Sequence, residues 1–266
     1  MSTVHRTLPA LKFTKSPLIV ALAQVRMTPI LKLESYIPTL QDLLRASDFP
    51  RLLTRKTKTT KHDSMGKVDV VESTDWVFAD KAGHSSLVVG EQSLALVTSA
   101  YTTFEDFAVR MEVLLRLVHE VVKISGVERL GLRYVDLIEP TAEKPLSYFL
   151  ESSVLGLSLE KLGTRISSFS QTVMETSPNR KLVVRTTERP GGLIIPPDLL
   201  SLQLKLRKPT GLEQPFGILD LDHYAEFPET EDYDTAGVMD NLCELHDIVD
   251  QAFRKATTEN AKLDWK

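Results

Sequence analysis

The sequence predicts an α+β protein made of two tandem β-α-ββββ-α units, residues 1–126 and 127–266, packed as one body. Three observations carry this. Short β-capable runs are separated by turn residues in each half. Each half closes on a long amphipathic helix, over Thr103–Ile124 and Thr235–Ala256. The two helices share a local pattern, Leu115-x-x-Val118-His119-Glu120-x-Val122 against Leu242-x-x-Leu245-His246-Asp247-x-Val249. An antiparallel sheet of four or five strands needs its apolar face covered, and one long helix can cover it. The order is that of helix-grip or TATA-binding-protein-like topologies, and topology alone assigns no function.

Taken in order, residues 1–15 are polar and irregular. Pro17–Met27 is apolar and β-capable, and Pro29 ends it. Glu34–Ser47 places Ile37, Leu40, Leu43 and Leu44 at helical spacing, with Pro38 near its first turn. Arg51–His62, Val68–Ala79, Ser86–Val89 and Ser93–Ser99 read as strands of a meander, joined by turns at Asp80–Gly83 and Gly90–Gln92. In the helix after them, Thr102 or Thr103 can cap the start. Phe104, Phe107, Met111, Leu114, Leu115, Val118 and Val122 form one stripe.

The midpoint, Val127–Pro140, reads as a central strand. Leu130, Leu132, Tyr134, Asp136 and Ile138 fall on one face and Arg129, Gly131, Arg133, Val135 and Leu137 on the other. Both faces are mixed, which predicts cover on both sides. Gly126 reads as the stop of the preceding helix and Pro140 as the strand exit. A short helix follows over Pro145–Leu155, then strands over Arg165–Glu175, Lys181–Glu188, Leu199–Arg207 and Phe216–Phe227. Breakers from Arg189 to Pro197 interrupt them.

Composition narrows the function. The net charge of −4 weighs against a general nucleic-acid binder, although a local basic patch is allowed. One cysteine, Cys243, excludes an intramolecular disulfide and a Cys-rich metal site. No apolar run approaches the roughly 18 residues of a membrane span, and residues 1–13 lack the apolar core of a signal peptide. A cytoplasmic location without membrane attachment is the expectation.

The chain resembles a sporadically distributed family of uncharacterised bacterial and archaeal proteins of about this length. The resemblance rests on Pro17-Leu18 with Val25-Arg26, Trp76-Val77-Phe78, Leu94–Tyr101 with Phe104 and Phe107, Leu132-Arg133-Tyr134, Leu219-Asp220-Leu221-Asp222 with Tyr224, and Leu245-His246 with Phe253. The family has no assigned activity, so the resemblance implies no catalytic residues. Its patchy distribution implies genes that travel with mobile elements or defence systems.

Candidate chemistry is sparse. His119-Glu120 opens like a zincin helix, but Lys123 stands where the second histidine ligand belongs, so no metal site is expected. Asp220 and Asp222 share a strand face with Tyr224, while His223 takes the other. Joined by Asp136, such carboxylates could bind a cation or share a proton, the basis of a hydrolase-like reading. Arg51, Arg55, Lys56, Lys58 and Lys61 crowd one strand. They either block edge pairing or contact phosphates, with Trp76 or Phe78 stacking on bases if exposed. Arg26 and Arg133 stand on corresponding strands, with Asp136 and Asp222 the acids placed to answer them. No nucleophile elbow, phosphate loop or dinucleotide fingerprint is present, and no cofactor is expected. The reading favours a non-catalytic cytosolic binding or interaction protein with a protein partner or a second copy of itself. Nucleic-acid binding through residues 51–61 and carboxylate hydrolysis are the alternatives.

Overall fold

Alternating apolar runs pair into one nine-stranded sheet in the computed structural model, which describes residues 12–62, 68–157, 162–202 and 204–266, with backbone alone for 57–62 and 68–72. The first half supplies β1 (Leu18–Met27), β2 (Arg51–His62), β3 (Val68–Ala79), β4 (Ser85–Gly90) and β5 (Ser93–Thr98). The second supplies β6 (Gly126–Ile138), β7 (Ser168–Ser177), β8 (Arg180–Arg189) and β11 (Phe216–Asp232). The order is β2-β3-β4-β5-β1-β6-β11-β8-β7, and every neighbouring pair is antiparallel. β1 and β6 lie side by side at the centre, with Gln24 opposite Gly131. β2 and β7 are the outer edges.

One face of the sheet is covered by helices. These are α1 (Leu33–Ala46), α2 (Phe104–Val122) and α4 (Thr235–Ala256), joined by the short α3 (Leu146–Phe149) and α5 (Glu259–Trp265). The predicted stripes face inward: Met111, Leu114, Leu115 and Val118 from α2, and Leu242, Leu245 and Val249 from α4, are buried against Ala23, Val25, Leu130, Leu132 and Leu221. Each large aliphatic chain buried in this way contributes about 1.5–3 kcal/mol. Thr103 caps α2, accepting from the Asp106 amide at 3.2 Å, and Asp234 caps α4 through the amides of Ala236 and Gly237.

The other face is covered by the chain between β8 and β11. It begins with β9 (Gly192–Leu193), passes through a 3-10 helix over Pro197–Leu202, and returns by β10 (Gly211–Leu212), which pairs with β9. This strap buries Ile194, Ile195, Leu199, Leu202 and Leu206 against Val20, Val97, Val135 and Ile218. It is tied to the far half of the sheet: the Lys205 amide donates to the Gly83 carbonyl at 2.9 Å, and Ser99 Oγ donates to the Lys205 carbonyl at 2.7 Å. Both faces of β6 are therefore covered.

Several expectations need correction. Leu199–Arg207 contains no strand in its described residues. Pro197 starts a helical turn, where its fixed φ fits, and Leu199, Leu202 and Leu206 recur at helical rather than alternating spacing. The second half accordingly adds one strand fewer to the main sheet than the first. The helix expected over Pro145–Leu155 is one turn, α3, followed by a 3-10 turn at Ser152–Val154. α2 is terminated by Lys123 in the left-handed region (φ 55°), not by Gly126. Gly126 instead begins β6, where an added Cβ would lie 2.3 Å from Thr230 Cγ2. Pro38 lies inside α1, and α5 follows the helix expected to close the chain. The N-terminal arm lies outside the described residues up to residue 11.

Candidate functional site

Alternation along β6 and β11 sorts the predicted residues onto two faces. Arg133, Asp220 and Asp222 face the strap, and Asp136 faces the helices with Tyr134 and Ile138. Asp136 therefore does not answer Arg133, and the three carboxylates do not converge. Arg26 is exposed opposite Arg129, away from the Arg133 cluster.

On the strap face, Arg133 holds Asp220 with a two-pronged contact, Nε to Oδ1 at 2.8 Å and Nη2 to Oδ2 at 2.7 Å. Its Nη1 donates to Asp198 of the strap. Arg185 of β8 reaches Asp220 Oδ2 at 3.3 Å and donates from Nε to Gln171 Oε1 at 2.9 Å. The side chains of Arg133 and Asp220 are 12% and 5% exposed, so this pair is nearly buried, with the more exposed Asp198 and Arg185 at its rim. Burial works against the Arg133 charge, but the bonds and charges of Asp220 and Asp198 outweigh it and raise its pKa. At Asp198 burial pushes the carboxyl up, yet Arg133 draws it net downward. Burial prevails at Asp222 and raises its pKa despite Arg133 and Arg129. Arg129 lies over the Tyr224 ring at 4.2 Å. Beside the cluster opens a cleft of about 820 Å³ that includes Phe169, Leu193 and Ile195.

The basic strand is the outer edge β2. Arg55 donates from Nε to Asp75 Oδ2 at 3.0 Å and from Nη1 to the Ser201 carbonyl at 3.1 Å, tying β2 to β3 and to the strap. Arg51 and Lys56 are exposed; the side chains of Lys58 and Lys61 lie outside the described residues. Trp76 and Phe78 are buried in the helix-side core, so base stacking is closed to them.

The helix face holds a second, smaller space of about 130 Å³ where the end of β6 meets the start of α2 and the middle of α4. Asp136 lines it, 3% exposed, and its Oδ2 has no hydrogen-bond partner among the described residues. Burial, reinforced by the Asp220 charge through the sheet, pushes its carboxyl up to about 8. Tyr134 Oη lies 3.1 Å from Tyr101 Oη and 3.2 Å from His246 Nδ1. The His246 ring stacks on Phe104 at 3.8 Å between centroids. His246 thus has the satisfied packing position expected of it. His119 stacks on Tyr233 at 4.5 Å, but its Nδ1 has no partner among the described residues. His223 is buried and bonded at both nitrogens, to Thr176 Oγ1 at 2.8 Å and the Leu245 carbonyl at 3.1 Å. Burial lowers its pKa and favours the neutral ring.

Sequence reasoning missed Asp198 and Arg185 on one face and Tyr101 and Phe104 on the other. The first two come from the strap and from β8, which only the fold brings to β11. The aromatic pair was visible only as helix-stripe and loop chemistry. Among the described residues no three His, Cys, Asp or Glu side chains are grouped as metal ligands, and no helix is long and apolar enough to cross a membrane. No protein-family model and no curated protein matches this chain.

Proposed function

We propose that the chain is a non-catalytic binding protein that takes an extended segment of a protein partner as an added strand along β7. The single observation behind this is the contrast of β7 with ordinary outer strands. Its ten residues carry one charge, Glu175, and no Lys, Arg or Pro. Phe169 is 65% exposed, Val173 is exposed on the same strand face and Met174 on the other. Natural sheets protect such edges with charge, proline or cover, because unpaired backbone groups invite another strand. The cleft beside Phe169 gives a partner side chain a place to lodge. The internal pairing of Arg133, Arg185, Asp198 and Asp220 supports a structural role for that cluster rather than a catalytic one.

The basic residues Arg51, Arg55, Lys56, Lys58 and Lys61 are read as the opposite device, an edge kept from pairing by charge. We also read the two halves as products of a duplication, with β1 and β6 flanking the pseudo-twofold. Their antiparallel pairing at the sheet centre supports this.

Affinity purification from the native host tests the binding role. A strand-adding partner is retained by the wild type and lost with the double variant Phe169→Asp, Val173→Lys. Equal retention by both rejects the β7 reading. Light scattering separates the second possibility: a doubled mass, abolished by the same substitutions, makes the partner a second copy joined edge to edge. Salt-sensitive binding of DNA or RNA, weakened by Lys56→Glu and Lys58→Glu, would turn the assignment to nucleic acid.

A further inference from the structure

A buried carboxylate without a hydrogen-bond partner is uncommon in a folded protein and calls for a compensating ligand, water or ion. Asp136 is such a group at Oδ2, and it is one of the residues lining the space on the helix face. Around it the chemistry is of two kinds. Tyr101, Tyr134, Phe104 and Phe253 supply aromatic surface. Among the described lining residues, Lys12 and His246 are basic, and Asp136 is the acid buried to 3% exposure. Aromatic faces and carboxylates both favour a cation. The volume, about 130 Å³, is near the roughly 150 Å³ engineered cavity that takes up benzene.

We propose that this cavity is a binding site for a small organic ammonium ion, with its N–H groups on the Asp136 carboxylate and its alkyl part against the aromatic lining. The site goes beyond the strand-binding role proposed above and lies on the opposite face of the sheet. A metal cation fits less well, because a hard ion needs six or more oxygens and Asp136 is the one buried carboxylate among the described lining residues. Among the described residues, the titratable groups that line the space with Asp136 are Tyr134 on its own strand, His246, Asp247 and Asp250 from α4, Tyr101 just before α2, Glu105 from α2, and Lys12 before β1, with Asp220 acting through the sheet. Asp250 is bonded to Arg254 at 2.9 Å, and His246 to Tyr134. Asp136, whose Oδ2 has no partner among the described residues, is the carboxylate that a guest ammonium would complete.

The acid must ionise to hold the ion. Because burial pushes its carboxyl up to about 8, affinity for an amine that stays protonated rises as pH rises toward 8 and levels off above it. Calorimetric titration of the full chain with n-butylammonium, with 1-butanol as the neutral counterpart, tests this. The expected result is saturable butylammonium binding that tightens about tenfold or more from pH 6 to pH 8, with no comparable uptake of butanol. Asp136→Asn, checked for fold by circular dichroism, loses the binding. His246→Gln keeps the pH dependence, which separates Asp136 from the imidazole as its source. Equal binding of butanol, retention by Asp136→Asn, or no saturable binding by alkylammonium ions from methylammonium to hexylammonium overturns the proposal. The pH profile of the wild type decides the matter even if the variant fails to fold.

Discussion

Asp136 and Asp220 stand on neighbouring strands in nearly the same layer of the sheet, and the two faces treat them in opposite ways. Asp220 faces the strap, where Arg133 and Arg185 meet it with three hydrogen bonds. Asp136 faces the helices, where its Oδ2 has no partner among the described residues and burial holds its carboxyl up near 8. Both are 3% exposed, so burial alone does not distinguish them. The difference lies in what covers each face. The turn of the strap brings Asp198 to bridge Arg133 beside its buried leucines and isoleucines, whereas no described group on the helix side bonds Asp136 Oδ2. A buried carboxylate that is answered is a structural element, and one that is left open is a potential binding group.

The largest expected effect comes from making the strap face resemble the helix face. Arg133→Ala removes the main partner of Asp220 and strands a buried charge, a loss usually of 3–5 kcal/mol. Arg185 remains 3.3 Å from Asp220, so the cost should fall at the lower end, about 3 kcal/mol. Urea unfolding reads it. Replacing Arg133 by Met and Asp220 by Leu together should return much of the stability, since the buried Asp220 charge goes with its partner and the remaining Asp198 and Arg185 keep access to solvent. An unchanged midpoint for Arg133→Ala would mean the cluster does not support the fold.

The second test removes the open carboxylate. The folded state raises the Asp136 pKa to about 8, so it binds that proton more tightly than the unfolded chain does. The associated stability is fully present below about pH 4, falls between pH 4 and 8, and is constant above. Asp136→Asn should equal the wild type near pH 4 and exceed it at pH 8 by a few kcal/mol. Denaturant melts of both proteins at the two pH values measure the gap. A parallel pH dependence in both would assign the titration to another group.

How much of this was readable from residues depends on the kind of signal. Period-two alternation placed Asp136 and Arg133 on opposite faces, and helical spacing located the buried stripes of α2 and α4. The two central strands were also readable as strands from their apolar, β-capable runs, but their pairing with each other was not. The strap was not, because its cover depends on where Pro196-Pro197 sends the chain, and a β-capable composition over Leu199–Arg207 concealed helical spacing. Asp198 and Arg185 were hidden for the same reason. Each pairs with a residue on a different element, across 65 and 35 positions of sequence, and no local period reports that. The helix-side cavity was less legible still. Asp136 was named, but as a member of an acidic cluster on the wrong face, and the space beside it exists only where three elements fail to fill the corner between them.

The smallest effect tests whether the strap is held by its apolar side chains or by its polar ties. Arg55 bonds Asp75 within the sheet and the carbonyl and hydroxyl of Ser201 in the strap, the latter at 3.1 and 3.0 Å. Its side chain and that of Asp75 are each less than one-fifth exposed, which places the pair between a surface bridge and a buried one. Arg55→Ala should cost about 1.5 kcal/mol, the low end for hydrogen bonds to a charged group, because the pair keeps some access to solvent. Leu199 and Leu202 remain buried without it, so the strap should stay docked while opening more often. Hydrogen exchange would then quicken at the amides of the 3-10 turn and at Lys205, with the central pairing of β1 and β6 unaffected. Slow exchange unchanged in the variant would assign the docking to the leucines alone. Exchange quickened throughout the sheet would show that the strap is part of the cooperative core and that the two faces are less independent than Asp136 and Asp220 suggest.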